Sequence, residues 1–143
     1  MTAAHRTARF ARLTILAAAS LLLAAFFAFV GYMKGFAPLM ELAKHGAWTV
    51  HLPPPLGRAM GYSEMGCALL LLAGLARPAW GMWGAAILFV NQLAAAAVHM
   101  AMGETGALPQ NAVILTLCAL IAWLQRARRA PLISGPASPP RDR

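Results

Sequence analysis

Several ionisable or amide side chains lie within or beside strongly apolar stretches of this chain, and five of them are candidate site residues: Lys34, Arg58, Glu64, Gln92 and His99. Glu64 is the most informative, because the 143 residues include only four carboxylates. An ionisable group at membrane depth is costly, so it faces the protein interior and marks a candidate functional site. A carboxylate near a cation and a histidine could bind a polar ligand group, exchange a proton or pair two helices.

The elements that must position these side chains are long apolar segments. Sixty per cent of the residues are hydrophobic and 11% are charged, with a mean hydropathy of +0.63, whereas soluble domains carry about 25% charged residues. Spans are predicted at residues 13–33, 56–76, 79–102 and 109–125. The first is about 31 Å long as a helix, enough to cross a bilayer. The predicted fold is all-α, a transmembrane four-helix bundle.

The chain divides into three parts around these spans. Residues 1–12 form a basic cytoplasmic lead, and residues 13–125 form the membrane domain. Residues 126–143 are rich in Pro, Ser and Arg and are predicted to be a disordered basic cytoplasmic tail. The connection between the first two spans carries a start signal at Pro38 and a stop signal at Gly46. A short interfacial helix is therefore predicted in this first outer loop.

The placement of positive charge predicts the orientation. The net charge is +8, and three basic residues (Lys34, Lys44 and Arg58) lie at one predicted face. The other basic residues lie at the opposite face, which by the positive-inside rule is cytoplasmic. Both termini are then cytoplasmic, and the expected location is a bacterial-type inner membrane. A nucleic-acid partner is not expected, because no folded soluble face carries a basic stripe.

Helical rise places the polar groups at comparable depths. Glu64 lies about 12 Å below the outer end of the second span, between His99 at about 5 Å and Gln92 at about 15 Å in the third. Small residues accompany these groups on both helices, which allows the helices to approach closely. Glu64 and His99 are therefore expected to be neighbours, with Lys34 and Arg58 supplying positive charge at the outer rim.

Each polar group also has a purely structural interpretation. Glu64 could form a buried ion pair with Lys34, Arg58 or His99 that only fixes helix register. Gln92 and Asn91 could simply bridge helices. A metal site is not expected, because no spacing places two ligands on one helical face. Cys67 and Cys118 are expected to be small apolar residues at a helix interface.

Three short motifs resemble the DoxX-like family of small four-helix membrane proteins. They are Phe-Val-Gly-Tyr-Met-Lys-Gly-Phe at 29–36, Arg-Ala-Met-Gly-Tyr-Ser-Glu-Met-Gly-Cys at 58–67, and Val-His-Met at 98–100. Lys34, Glu64 and His99 are the residues that match. Some relatives are small subunits of thiosulfate:quinone oxidoreductase, others are linked to oxidative or sulfur stress, and most have no known activity.

The resemblance and the polar residues together leave three classes of function open. The first is an accessory subunit for membrane redox chemistry that binds a quinone or a small solute, with Glu64 and His99 lining the pocket. Its partners would be the lipid bilayer and either a membrane redox subunit or a second copy of the chain; no other cofactor is evident. The alternatives are a small transporter, or a structural membrane protein in which Glu64 only pairs helices.

Overall fold

The structure is a computed structural model and describes residues 3–129. Its five α-helices are α1 (Ala3–Phe36), α2 (Leu39–Lys44), α3 (Pro54–Ala76), α4 (Pro78–Ala101) and α5 (Leu108–Arg129). Two short 3₁₀ helices, Trp48–His51 and Thr105–Ala107, precede α3 and α5. The described residues contain no strand, which confirms the predicted all-α class.

Helices α1, α3, α4 and α5 are each long and apolar enough to cross a membrane. The predicted transmembrane four-helix bundle is therefore confirmed, and α2 is the predicted short helix between the first two spans. With 34 residues, α1 is about 51 Å long and exceeds a hydrocarbon core of about 30 Å. It begins at Ala3, so the described part of the predicted basic lead is helical.

The tail prediction needs a correction, because α5 continues through Arg129. Residues 126–129 are helical rather than disordered. The Arg128 guanidinium explains this continuation, since it donates hydrogen bonds to the carbonyls of Gly74 (3.2 Å) and Leu75 (3.1 Å) at the end of α3. The rest of the predicted tail, residues 130–143, lies outside the described residues.

The four long helices pack as a closed ring. Helix α1 packs mainly on α3, α3 on α4, and α4 on α5, while α5 makes a smaller contact with α1. The connections at 37–53 and 102–107 lie at one end of the ring, called here the loop end. The connection at Arg77 and the last turn of α5 lie at the other, called here the basic end. Candidate site residues are concentrated toward the loop end.

Proline and glycine set the helix boundaries. Pro54 and Pro78 occupy the first turns of α3 and α4, where a missing N–H costs nothing and the fixed φ suits the helix. Gly46 and Gly103 follow the C-caps of α2 and α4 with φ of 62° and 72°. This left-handed conformation ends a helix at little cost only when the residue is glycine.

Glycines also bring α1 and α3 into close contact. A Cβ placed on Gly61 would lie 2.6 Å from the Gly35 nitrogen and 2.7 Å from the Gly31 oxygen. No side chain fits there, so the backbones touch as small-residue faces allow in membranes. Lys34, in the last turn of α1, is thereby held against the face of α3 that carries Glu64.

The connection between α1 and α3 folds over the loop end of the bundle. Leu42, Trp48 and Thr49 are each less than a tenth exposed. The 3₁₀ helix that carries Trp48 packs on α3 and α4, and the Thr49 carbonyl lies against Gly57. The first loop is therefore a cover on the bundle that buries polar groups beneath it.

Candidate functional site

Three polar side chains from three helices meet inside the bundle. The Lys34 ammonium donates to Glu64 Oε1 at 2.5 Å, and Asn91 Nδ2 donates to the same oxygen at 2.7 Å. The side chains of Lys34 and Glu64 are 5% and 0% exposed. This buried cluster of Lys34, Glu64 and Asn91 joins α1, α3 and α4 at one oxygen atom.

Each member of the buried cluster has a local reason for its position. Glu64 lies one turn beyond Gly61, on the face of α3 that approaches α1. Lys34 lies at the C-terminal end of α1, where a cation interacts favourably with the helix dipole. Its ammonium also lies 5.5 Å from the centre of the Trp48 ring, within range of a cation–π contact.

Arg58 supports the cluster from the side rather than joining it. Its Nη1 donates to the Lys34 backbone carbonyl at 2.9 Å, which satisfies one of the carbonyls left unpaired at the end of a helix. Arg58 is half-buried and makes no ion pair with Glu64. The cation that neutralises Glu64 is therefore Lys34.

Beside the buried cluster lies a cavity of about 370 Å³, between α1, the end of α2, α4 and the start of α5. This volume is within the range of about 300–1,000 Å³ typical of small-molecule sites. Its apolar wall includes Phe26, Phe27, Phe29, Val30, Met33 and Leu42. Its polar groups include Lys34, Trp48, Gln92, His99 and Asn111. Glu64 is not among the lining residues and lies behind Lys34.

Two of the lining amides carry an atom without a partner. Gln92 Oε1 and Asn111 Nδ2 are fully enclosed and make no hydrogen bond among the described residues. The two residues are 5% and 6% exposed. A buried polar group without a partner costs about 1–3 kcal/mol. Both residues line the apolar cavity, and each amide can supply a hydrogen-bonding group to a bound polar group.

His99 pairs with a different carboxylate from the one expected. Its Nδ1 lies 2.7 Å from Glu104 Oε2, while His51 Nε2 lies 3.1 Å from Glu104 Oε1. Of the three partners that the sequence left open for Glu64, the structure pairs it with Lys34, which comes from the closely packed α1. The hydrogen bond with His99, assisted by that with His51, lowers the pKa of Glu104 below its usual range.

Most of the predicted site residues nevertheless share one region. Lys34, Gln92 and His99 line the same cavity, Glu64 lies behind Lys34, and Arg58 stabilises the end of α1. Asn111 escaped the sequence interpretation entirely. Two adjacent amides, Gln110 and Asn111, in the first turns of an apolar helix were the available signal, since such groups in membrane helices pair or bind.

The described residues contain no group of three or more His, Cys, Asp or Glu side chains that could hold a metal ion. Cys67 and Cys118 are free and buried in the apolar core.

The fold and this arrangement define a multi-pass helical membrane protein with a polar-lined cavity at one end. The chain matches the DoxX-like family over residues 9–121 and belongs to that family. Comparison with curated proteins and with solved structures found no match.

Proposed function

We propose that the cavity binds a small lipophilic ligand with a polar ring, of the quinone class, and that the chain is the binding subunit for membrane redox chemistry. The observation that carries this proposal is that two buried amides with unpaired atoms, Gln92 and Asn111, line a cavity with apolar walls. Ligand sites are typically apolar cavities in which a few placed polar groups fix orientation.

The donor and acceptor set fits both forms of a quinone. Asn111 Nδ2 can donate to a ring carbonyl oxygen, and Gln92 Oε1 can accept from a ring hydroxyl. Lys34 has further N–H donors beyond the one given to Glu64. The aromatic walls, Phe26 and Phe29 among them, offer surfaces on which a ring can pack.

A quinone carries electrons and protons between membrane proteins, and this chain's residues bind and orient it. Glu64 acts through Lys34 in this proposal, holding the ammonium at the cavity wall without touching the ligand. Electron exchange with a bound quinone requires a second redox group, which the proposal assigns to a partner subunit in the membrane.

The proposal includes an orientation in a bacterial-type inner membrane with both termini cytoplasmic. The support is the distribution of charge, since Arg77, Arg126, Arg128 and Arg129 lie at the basic end. Exposed tryptophans flank the same end, as in an interfacial aromatic belt: Trp80, Trp83 and Trp123. The cavity would then open near the outer leaflet.

Quinone titration of the purified protein tests the binding proposal. A short-tail benzoquinone should quench the fluorescence of Trp48, which lines the cavity, and a Trp48→Phe variant identifies that component among the tryptophans. Asn111→Leu and Gln92→Met should each weaken binding by about five- to thirtyfold, which corresponds to one lost hydrogen bond of about 1–2 kcal/mol.

Ser20→Ala is the matched control, because Ser20 Oγ is also buried and unpaired but does not line the cavity. It should leave quinone affinity unchanged. Absence of binding in the wild-type protein, or equal losses in Ser20→Ala and Asn111→Leu, would contradict the proposal and leave a structural role for the buried cluster.

A further inference from the structure

Three side chains connect the cavity to the surface of the loop end. His99 lines the cavity with a side chain 6% exposed, and it contacts Glu104, which is 42% exposed. Glu104 also contacts His51, whose side chain is 27% exposed. The buried histidine is thus held by a carboxylate that reaches water, and a second histidine occupies the other carboxylate oxygen.

This contact fixes which nitrogen of His99 is free. A carboxylate accepts hydrogen bonds, so Nδ1 carries the proton that faces Glu104 Oε2 at 2.7 Å. In the neutral ring, Nε2 then bears the lone pair. Nε2 has no hydrogen-bond partner among residues 3–129. A carboxylate that orients a histidine in this way also stabilises its protonated form.

We propose that His99 is the acid–base group of the cavity and that Glu104 is its positioning residue. The matching ligand chemistry is a ring hydroxyl that gives up a proton, as in the hydroquinone form of the quinone class. This inference rests on the proposed function and adds a role for two residues, Glu104 and His51, that the binding site itself does not use.

The step transfers one proton from the ligand to His99. The hydroxyl O–H bond of the hydroquinone breaks, its electron pair stays on oxygen, and the proton forms a new N–H bond at His99 Nε2. The imidazolium that results faces the Glu104 carboxylate, and the ring oxygen carries a negative charge near the Lys34 ammonium. The new positive charge therefore has a carboxylate beside it, and the new negative charge has the remaining N–H donors of Lys34, whose own charge is balanced by Glu64.

The other charged groups around the cavity are less suited to this role. On α1 and α3, Lys34 is neutralised by Glu64, and Arg58 binds a backbone carbonyl. On α5, the residues near the cavity are amides, Gln110 and Asn111. At the end of α2, His45 also lines the cavity and contacts Glu41, which in turn contacts Lys44, but the His45 side chain is 66% exposed. His99 is the buried histidine of the two.

The test compares the two redox forms of a short-tail benzoquinone across about pH 5–8 under anaerobic conditions, with Trp48 quenching as the readout. Hydroquinone needs a neutral His99 as acceptor, so its affinity should fall as pH decreases, by up to about tenfold per pH unit for one linked proton. The oxidised quinone accepts hydrogen bonds only, so its affinity should rise as pH decreases. Opposite signs for the two forms are the expected result.

Variants assign this pH dependence to its residues. His99→Asn preserves a donor toward Glu104 but cannot titrate, so both affinities should become independent of pH. Glu104→Gln removes the carboxylate that faces His99, and the midpoint for hydroquinone should move to lower pH. Affinity at pH 8 should stay within about threefold of the wild-type value.

Glu41→Gln is the matched control, because it removes the carboxylate from the other cavity histidine, His45. It should leave the midpoint unchanged. An unchanged midpoint in Glu104→Gln, a shift in Glu41→Gln instead, or an equal loss at every pH would overturn the inference while quinone binding stands. Absence of quinone binding in the wild-type protein would overturn the proposed function, and this inference with it.

Discussion

Lys34 and Glu64 form an ion pair of 2.5 Å inside the bundle, and only Lys34 faces the cavity. The carboxylate that is most conspicuous in the sequence is therefore one layer behind the ligand site. Its effect on a ligand passes through the ammonium that it holds. This relationship separates the structural role of Glu64 from the binding role of the residues that line the cavity.

Removing one member of this pair should be more damaging than removing both. Lys34→Met or Glu64→Leu alone leaves an uncompensated charge in the interior, at a cost of about 3–5 kcal/mol. The double variant carries no buried charge and should recover most of that loss. Unfolding in mixed micelles with increasing sodium dodecyl sulfate measures the free energies for a double-mutant cycle.

The exposed pair of Glu41 and Lys44 provides the control cycle. Their side chains are 39% and 64% exposed, and surface pairs contribute about 0–1 kcal/mol. Glu41→Leu, Lys44→Met and their combination should therefore be close to additive. Additive losses in the Lys34–Glu64 cycle would show that the buried pair is not coupled in the folded protein.

The contact between α1 and α3 should not tolerate a methyl group at Gly61. Alanine there would place Cβ 2.6 Å from the Gly35 nitrogen, so the helices must separate and Lys34 must withdraw from Glu64. We expect Gly61→Ala to lower the free energy of unfolding by about 1–3 kcal/mol, as overpacking does. Gly66→Ala on the same helix meets nothing within 4 Å and should be neutral or slightly stabilising. Equal effects at the two positions would contradict the close approach.

The fold was predictable because it depends on local signals: the length of each apolar segment, and the proline and glycine residues at the helix boundaries. The four long helices and the short helix between Pro38 and Gly46 follow from such signals. The buried faces of α3 and α4 also followed from the spacing of small residues around Glu64 and Gln92.

The side-chain pairing could not be predicted in the same way, because depth along a helix does not determine which neighbour is nearest. Glu64 and His99 have comparable predicted depths. The glycine contact nevertheless brings α1 close to α3, so Glu64 binds Lys34. His99 instead forms a hydrogen bond with Glu104, which lies five residues later in the following loop. Asn111 could be recognised as a site residue only from the structure, in which it lines the cavity and its Nδ2 has no hydrogen-bond partner.

Asn111→Leu should separate stability from function. The substitution removes an unpaired buried donor and replaces it with an apolar group of similar size, which can be neutral or stabilising. We expect the free energy of unfolding to be unchanged or to rise by about 1 kcal/mol, while quinone affinity falls. The pair of measurements is micelle unfolding and Trp48 quenching on the same preparation. A loss of stability would indicate that Asn111 has a hydrogen-bond partner in the folded protein and that its side chain is not available to a ligand.

Glu104 should make the loop end sensitive to acid. Its pKa is lowered by the contact with His99 and then by that with His51. A carboxylate with a lowered folded pKa stabilises the protein above its unfolded pKa of about 4.3, and that stabilisation is lost as pH falls through the folded value. The difference in Tm between the wild-type protein and Glu104→Gln should therefore be present near pH 6 and disappear toward about pH 3. A difference of the same size at both pH values would show that the side chain acts by packing and not by charge.

The proposed orientation predicts which exposed residues can be labelled from outside intact cells. In a background with Cys67 and Cys118 replaced by alanine, a single cysteine introduced by Lys44→Cys lies at the loop end, and one introduced by Arg126→Cys lies at the basic end. Both positions are exposed. Since basic residues concentrate at the cytoplasmic face, a membrane-impermeant maleimide should label the Lys44→Cys protein in intact cells and the Arg126→Cys protein only after permeabilisation. The reverse pattern would place the cavity and its acid–base pair on the cytoplasmic side, and the redox partner would then have to approach the ligand from that side.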